Sequence, residues 1–456
     1  MRKLLTLRLF FKLIKLVYQN FIADIFKKNI PIRYYFVILV LFFSSSIIHG
    51  QDQKSILKVS LNPTDSDYWW LQKNNNGKYV VDKEIEYEWQ FKTSKTEYKI
   101  SLSNAYKKNQ KPDFGESFIK HNFSDQTFLR IGKYYKDFSK YLNDNLSSGS
   151  MLVSNNAQAM PKIGLVTSQN VRKNQNVTFD MGISHGFFNK TSYYIEAPVL
   201  HEKFIYIKIK KNNHEFGIGV VHEAMWGGNI IYTEGSIPER NFPITLKNFF
   251  KVFIADDGDY EGGPHANALG NHLGIWDFYY QKNNNNQVLK LYYQHFFEDT
   301  SSLRFQNKID GLWGIELKNY IPNMTLLLEY LDTTNCCINP PYQDDDYYGN
   351  YQYVGGWRYK DNIIGNAFVN NLEPSNIWIR NTDLTKLFYI GINGQISSNY
   401  YELKASRKIN VNDTIQYKIK VGKIVKDKFN FSVFAVNNNQ TSGLGIDISY
   451  LLKTSH

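Results

Sequence analysis

Between residues 79 and 450 the chain returns again and again to stretches in which apolar and polar side chains alternate. In KFIYIKIK (203–210), Ile207 and Ile209 share one face and Lys208 and Lys210 the other. A period of two belongs to a strand with two unlike surroundings. The pattern recurs in YVVDKEIEYEWQF (79–91), EYKISLSNAY (97–106), FGIGVVH (216–222), QVLKLYYQHFFED (287–299) and MTLLLEYLD (324–332). It fills the C-terminal part with KLFYIGING, NYYELKASRKI, DTIQYKIKVGKIV, FNFSVFAV and GLGIDISYLL. Polar turns such as KNNNN, NVND and NNNQTSG separate the runs. No Pro/Gly/Ser linker divides the series and no blade-length repeat marks a propeller.

The leader decides what such a series becomes. Residues 1–50 hold eight Lys or Arg against Asp24 alone, so +7 of the formal net charge of +11 lies there and only +4 in the rest. A nucleic-acid binder keeps its positive charge in the folded body, so nucleic acid is not expected as a partner. Lys27, Lys28 and Arg33 followed by YYFVILVLFF (34–43) and a small residue at Gly50 form a cleavable secretory signal. After residue 50 no run of ~18 apolar residues offers a helical span. An exported, strand-rich chain without a helical span fits an outer-membrane barrel, where closure of the sheet pairs every backbone group. At roughly 22 residues per strand and turn, the mature chain accommodates about 18 strands. The expectation is an all-β, large antiparallel transmembrane barrel, with residues 1–50 as leader and 51–456 as one domain. The first strand is expected from residue 79 and the last is expected to end near Leu452. A periplasmic or secreted sandwich is the alternative. The only cysteines, Cys336 and Cys337, are adjacent, so no framework of disulfides is expected.

HEAMWGGN (222–229) invites a hydrolytic reading that its spacing does not support. A zinc helix needs a second histidine at the place of Trp226, and Gly227-Gly228 are poor helix formers. His222 and Glu223 therefore read as the end of a strand, alternating across the sheet, with glycines turning the chain. GGPHANALGNHLGIWDF (262–278) reads as a loop returning to a strand at Ile275, its His265 and His272 as hydrogen-bonded interior histidines. The acidic runs DDGDYEGG (256–263) and DDDYY (344–348) lack the spacing of a calcium loop and read as solvated loops. No metal and no cofactor is expected. No local pair of carboxylates marks a glycosidase.

LSSGSMLVSNNAQAMPKIG (146–164), ISHGFF (183–188), LHEKFIYIKI (200–209), HEAMWGGN, GGPHANALGNHLGIWDF and GGWRYKDNIIGNAF (355–368) follow one another in this order, with a weaker start at DYWWLQKNNNGKYV (67–80). In order and spacing the series resembles the capsule assembly protein Wzi family over nearly the whole mature chain. The resemblance implies a barrel of about eighteen strands with an occluded lumen. It implies a lectin-like, non-catalytic role in binding or anchoring capsular or surface polysaccharide. A helical bundle at the periplasmic end occurs in the family, but residues 51–78 leave too little chain for one. Sugar rings pack on flat aromatic faces while their hydroxyls need polar partners. The candidate glycan contacts are His222, Glu223, Trp226, His272, Trp276, Asp277, Trp357 and Arg358. The expected partners are that polysaccharide and outer-membrane lipid, around a monomer. A diffusion porin and an outer-membrane hydrolase acting on lipid or glycan are the competing functions.

Overall fold

The computed structural model describes residues 52–63, 68–106, 112–171, 174–230, 240–256, 268–298, 300–335, 347–350, 353, 355–369, 384–409 and 414–455. The leader, Cys336-Cys337, His265 and most of both acidic runs lie outside the described residues.

Eighteen strands form one antiparallel sheet, each paired with the next in sequence. In order they are β1 (Gln53–Leu61), β2 (Lys83–Lys92), β3 (Thr96–Ser103), β4 (Ser117–Asn122), β5 (Thr127–Tyr134), β6 (Met160–Val171), β7 (Asn174–Phe187), β8 (Val199–Lys211) and β9 (His214–Trp226). They continue as β10 (Asn271–Asn284), β11 (Gln287–Phe297), β12 (Gly311–Lys318), β13 (Met324–Asp332), β14 (Lys386–Ile396), β15 (Asn399–Lys408), β16 (Thr414–Val425), β17 (Phe429–Asn437) and β18 (Ser442–Ser455). A two-residue bridge, Asp113–Phe114, extends the pairing beside β3. β18 then pairs with β1, from Gln53 opposite Ser455 through Leu57 opposite Tyr450 to Leu61 opposite Ile446. The sheet closes on itself and has no edge.

The alternation sorts inside from outside. Ile205, Ile207 and Ile209 of β8 are 46%, 43% and 48% exposed, while Phe204 and Tyr206 are buried. Phe216 and Ile218 of β9, Ile315 of β12 and Phe431 and Val433 of β17 join this exposed apolar belt. In water such a belt is unfavourable, whereas in a bilayer it is what the wall requires. No helix among the described residues is long and apolar enough to cross a membrane, so the crossing is made by strands. The interior is built on aromatic-over-glycine pairs. Tyr206 faces Gly219 and Tyr279 faces Gly217 across their ladders. A Cβ on Gly219 would stand 2.3 Å from Tyr206 Cδ1, and one on Gly217 2.0 Å from Tyr279 Cε1. The glycines of HEFGIGVVH thus make room for lumen tyrosines rather than loosening the strand.

The two rims differ. Turns such as 212–213, 285–286 and 397–398 join strands at the end where β1 starts and β18 stops. Segments 62–82, 135–159, 227–270 and 333–385 join them at the other end. By the plan of outer-membrane barrels the short turns face the periplasm and the long segments the cell exterior.

Four boundaries differ from those expected. β1 lies within 53–61, ahead of residue 79, because KSILKVSL pairs with both β2 and β18. β2 begins at Lys83 rather than residue 79. β18 runs to Ser455 rather than Leu452, since Lys54 and Gln53 stand opposite Thr454 and Ser455. The strand after the glycine-rich loop starts at Asn271, not Ile275, because Met225 of β9 pairs with Asn271.

The closed wall predicts a folded form that resists SDS. Unboiled samples from membrane fractions should migrate apart from boiled ones, and identical mobility would contradict closure. Ile205→Lys, at the midpoint of β8 on the outer wall, should lower stability in lipid vesicles by about 2–4 kcal/mol in a urea titration.

Candidate functional site

The lumen is occupied by the chain's own connection between β5 and β6. Residues 135–159 fold inward, burying Phe138, Leu146, Met151, Leu152 and Val153. Each such side chain contributes about 2 kcal/mol relative to exposure. The polar atoms of this segment meet acids and amides projecting from the wall. Glu329 of β13 accepts from Ser147 Oγ at 2.6 Å, from the Ser148 amide at 2.7 Å and from the Tyr292 hydroxyl. Asp277 of β10 accepts from Ser139, from Tyr141 and, at 2.5 Å, from Tyr206. Gln294 Oε1 accepts from Ser150 Oγ at 3.1 Å and from the Met151 amide at 3.0 Å. Small Ser and Gly residues let the backbone approach the wall closely enough for its amides to bond there. The run LSSGSM therefore works as a ribbon of donors fitted to buried acceptors.

Two further external segments lock this plug. Asn366 Nδ2 donates to the Gly149 carbonyl at 2.6 Å, Asn156 Nδ2 to the Ile363 carbonyl at 2.9 Å, and the Asn76 amide to the Asn155 carbonyl at 2.7 Å. Trp69 stacks on Phe368 with ring centroids 3.9 Å apart.

The outer mouth carries the groups left facing solvent. Arg358–Tyr359 and Asn362–Ile363 form a short hairpin whose turn residues, Lys360 and Asp361, have φ of 47° and 69°. The Lys360 amide donates to Asn189 Oδ1 at 2.8 Å, and its ammonium lies 3.2 Å from Asp113 Oδ2. Arg358 lies near Lys73: burial pushes the Lys73 ammonium below its usual range and the guanidinium charge adds to the shift. Burial, and then the charge and hydrogen bond of Asp361, raises the Tyr79 phenol. Lys73, Tyr79, Arg358 and Asp361 thus gather on one polar rim with Asn75 and Asn76 beside them. Sugar hydroxyls and carboxylates are bound by such a mixture of cation, anion, amide and phenol.

The sequence-derived candidates are scattered by strand parity. His222, Trp226, His272 and Trp276 face outward: His222 Nε2 is 2.8 Å from His272 Nδ1, and Trp226 is buried beneath an external helix. Trp276 donates from the outer wall to the Leu303 carbonyl at 3.1 Å. None of these four shares a face with the lumen or the rim. Glu223 and Asp277 face inward, fully buried. His222 and Glu223 point to opposite sides of the wall, so they cannot serve one metal or one reacting atom. HEAMW does end a strand, and Gly227, at φ 72°, starts the turn. Trp357 is buried and Phe188 packs edge-on against it, so it shapes the loop. Of the eight, only Arg358 reaches the rim. Lys73, Tyr79 and Asp361 were missed; they sit in quoted motifs, yet only the fold brings their loops together.

A closed apolar-walled cylinder with a filled lumen and a polar external rim defines an outer-membrane β-barrel. The model of the capsule assembly protein Wzi family matches residues 72–381, more than half of the chain, and the chain belongs to that family. Among solved structures it is similar to Wzi of Escherichia coli, an outer membrane protein involved in group 1 capsule assembly and described as a carbohydrate-binding β-barrel. That match has 13% identity and a TM-score of 0.58, and covers 88% of this chain and 84% of that one, which supports the fold. OccK5 (OpdH) of Pseudomonas aeruginosa matches with 8% identity and a TM-score of 0.43, over 88% of this chain and 98% of that one. OccAB4 of Acinetobacter baumannii matches with 9% identity and a TM-score of 0.43, over 89% and 99%. Likeness at that level carries no argument about function. No curated protein matches the chain.

At the outer end of the wall, the connection after β13 has a pH-sensitive tether. Asp310, just before β12, accepts from the Asn335 amide at 2.9 Å and from the Tyr347 hydroxyl at 2.8 Å. Burial outweighs these bonds and pushes its carboxyl up to about 6. A carboxyl raised in the folded state stabilises it most below the unfolded value near 4, and that contribution is lost as pH rises through about 6. Hydrogen exchange around residues 333–335 and 347–350 should therefore quicken from pH 4 to pH 7 beyond its intrinsic rise. Asp310→Asn should abolish the excess; its persistence in the variant would refute the assignment.

Proposed function

We propose that this protein is delivered to the outer membrane by a cleaved leader and there, as a monomeric single-domain barrel, binds and anchors capsular or other surface polysaccharide without catalysis. The observation that carries the proposal is a mouth of mixed polar groups standing over a lumen filled by the chain's own residues 135–159. A filled lumen disfavours diffusion of solutes, and a polar external rim favours a ligand held from outside. Membership in the capsule assembly protein Wzi family supports the same reading. Separation of His222 from Glu223 by the wall, and of both from the rim, removes the strongest hydrolytic candidates.

In this proposal Arg358 and Lys73 supply charge to acidic sugars, Tyr79 offers a ring face and a hydroxyl, and Asp361 accepts from sugar hydroxyls. Asp277 and Glu329 hold the plug and so position the rim indirectly. Purified protein should bind the host's own capsule, and Arg358→Ala combined with Lys73→Ala should weaken that binding by about tenfold or more, the scale of one charge-assisted bond. Unchanged affinity in the double variant, with the heat-sensitive folded band intact, would remove the rim from the site. Undiminished capsule attachment in cells lacking the protein would remove the function itself.

A further inference from the structure

One amphipathic helix lies outside the cylinder. Helix α1, Leu246–Ile254, follows Thr245, whose Oγ1 accepts from the Asn248 amide at 3.2 Å, and ends at Ala255 in a left-handed conformation with φ 55°. Its inner side, Phe249 and Val252, covers Val199, Ala224 and Trp226 at the external ends of β8 and β9. Phe249 and Phe253 cover His201, their ring centroids 5.7 and 5.5 Å from the imidazole. Lys203, on the outer wall, donates to the Phe253 carbonyl at the helix C-terminus, where a cation is favoured, and lies 4.3 Å from the Phe253 ring. The helix is therefore fixed to the wall at a defined height, on the same strands as Ile205, Ile207, Ile209, Phe216 and Ile218 but nearer the external rim.

Its remaining sides differ sharply. At about 100° per residue, Leu246, Phe250 and Ile254 fall on one flank beside the wall-facing side. They are 79%, 62% and 67% exposed. Lys247 and Lys251 come next around the helix, and Asn248 lies beyond them. Three large apolar side chains on one flank of a firmly capped nine-residue helix need an apolar medium. The same strands already present one, the exposed belt just below.

We propose that α1 is an interfacial helix seated in the outer leaflet. Its Leu246–Phe250–Ile254 flank enters the upper acyl region, and Lys247 and Lys251 stand at the level of the lipid phosphates. Such a helix lies in the boundary plane by burying one flank and keeping its basic residues at the headgroups. The apolar belt thereby continues onto a ledge beneath the polar rim, fixing the depth at which the mouth stands. This surface is separate from the glycan-binding rim.

The test is a depth measurement on the full chain with Cys336→Ser and Cys337→Ser. Phe250→Cys, Ile254→Cys and Asn248→Cys are each labelled with a polarity-sensitive fluorophore and reconstituted in vesicles of phosphatidylglycerol and phosphatidylcholine carrying brominated acyl chains. Folding of each variant is checked by the unboiled gel band, and two probes share the apolar flank in case one fails. Quenching at 250 or 254 several-fold stronger than at 248 is expected. Equal quenching at both sides of the helix would overturn the proposal. So would protection at 250 and 254 that follows protein concentration rather than bromolipid, because the flank would then be covered by a second copy.

Discussion

The pairing of β18 with β1 is the contact on which everything else rests. A strand edge in hydrocarbon would leave a row of amides and carbonyls without partners, each costing several kcal/mol. The chain removes both edges by bringing residues 53–61 against 446–455, the first and last strands of the sheet. Once the ladder is continuous, period-two alternation becomes a radial code. Ile205, Ile207, Ile209, Phe216 and Ile218 point to lipid, while Tyr206, Tyr279, Asp277 and Glu329 point inward. Local strand propensity alone does not enforce this; closure does.

A cylinder of eighteen strands leaves an interior that must hold either water or protein. Here protein fills it. Buried acids of the wall, Asp277 of β10 and Glu329 of β13, act as fixed acceptors, and residues 135–159 supply donors to them, including the Ser148 backbone amide. Glu329 and Asp277 each take two such bonds and a third from a wall tyrosine, so neither is left as a bare charge in a low-dielectric space. The same inward folding draws the connections after β1 and β13 over the plug, and Arg358, Lys73, Tyr79 and Asp361 are thereby set on one rim. The polar rim is thus a consequence of filling the lumen.

Much of this was legible in the residues. Alternation placed most strands, and their number follows from chain length divided by roughly 22 residues per strand and turn. β1 escaped because Ile56 and Leu57 interrupt its alternation, and one of its two partners, β18, lies at the other end of the chain. The end of β18 was invisible for the same reason. Side-chain facing was harder than strand position. HEAMW reads as a strand end whose His222 and Glu223 diverge, as they do. Beginning β10 four residues late, at Ile275, hid the pairing of Ala224 with His272, which carries His272 and Trp276 to the outer face. The rim itself has no local signal: Lys73 sits among asparagines and Asp361 in a lysine-aspartate turn, and neither is unusual until loops nearly three hundred residues apart converge.

Conductance in a planar bilayer tests the central claim, a closed wall around a filled lumen, most directly. The protein should insert and remain electrically silent, while a variant lacking residues 139–156 of the plug should show large stable steps. Large steady steps from the intact protein would contradict the account.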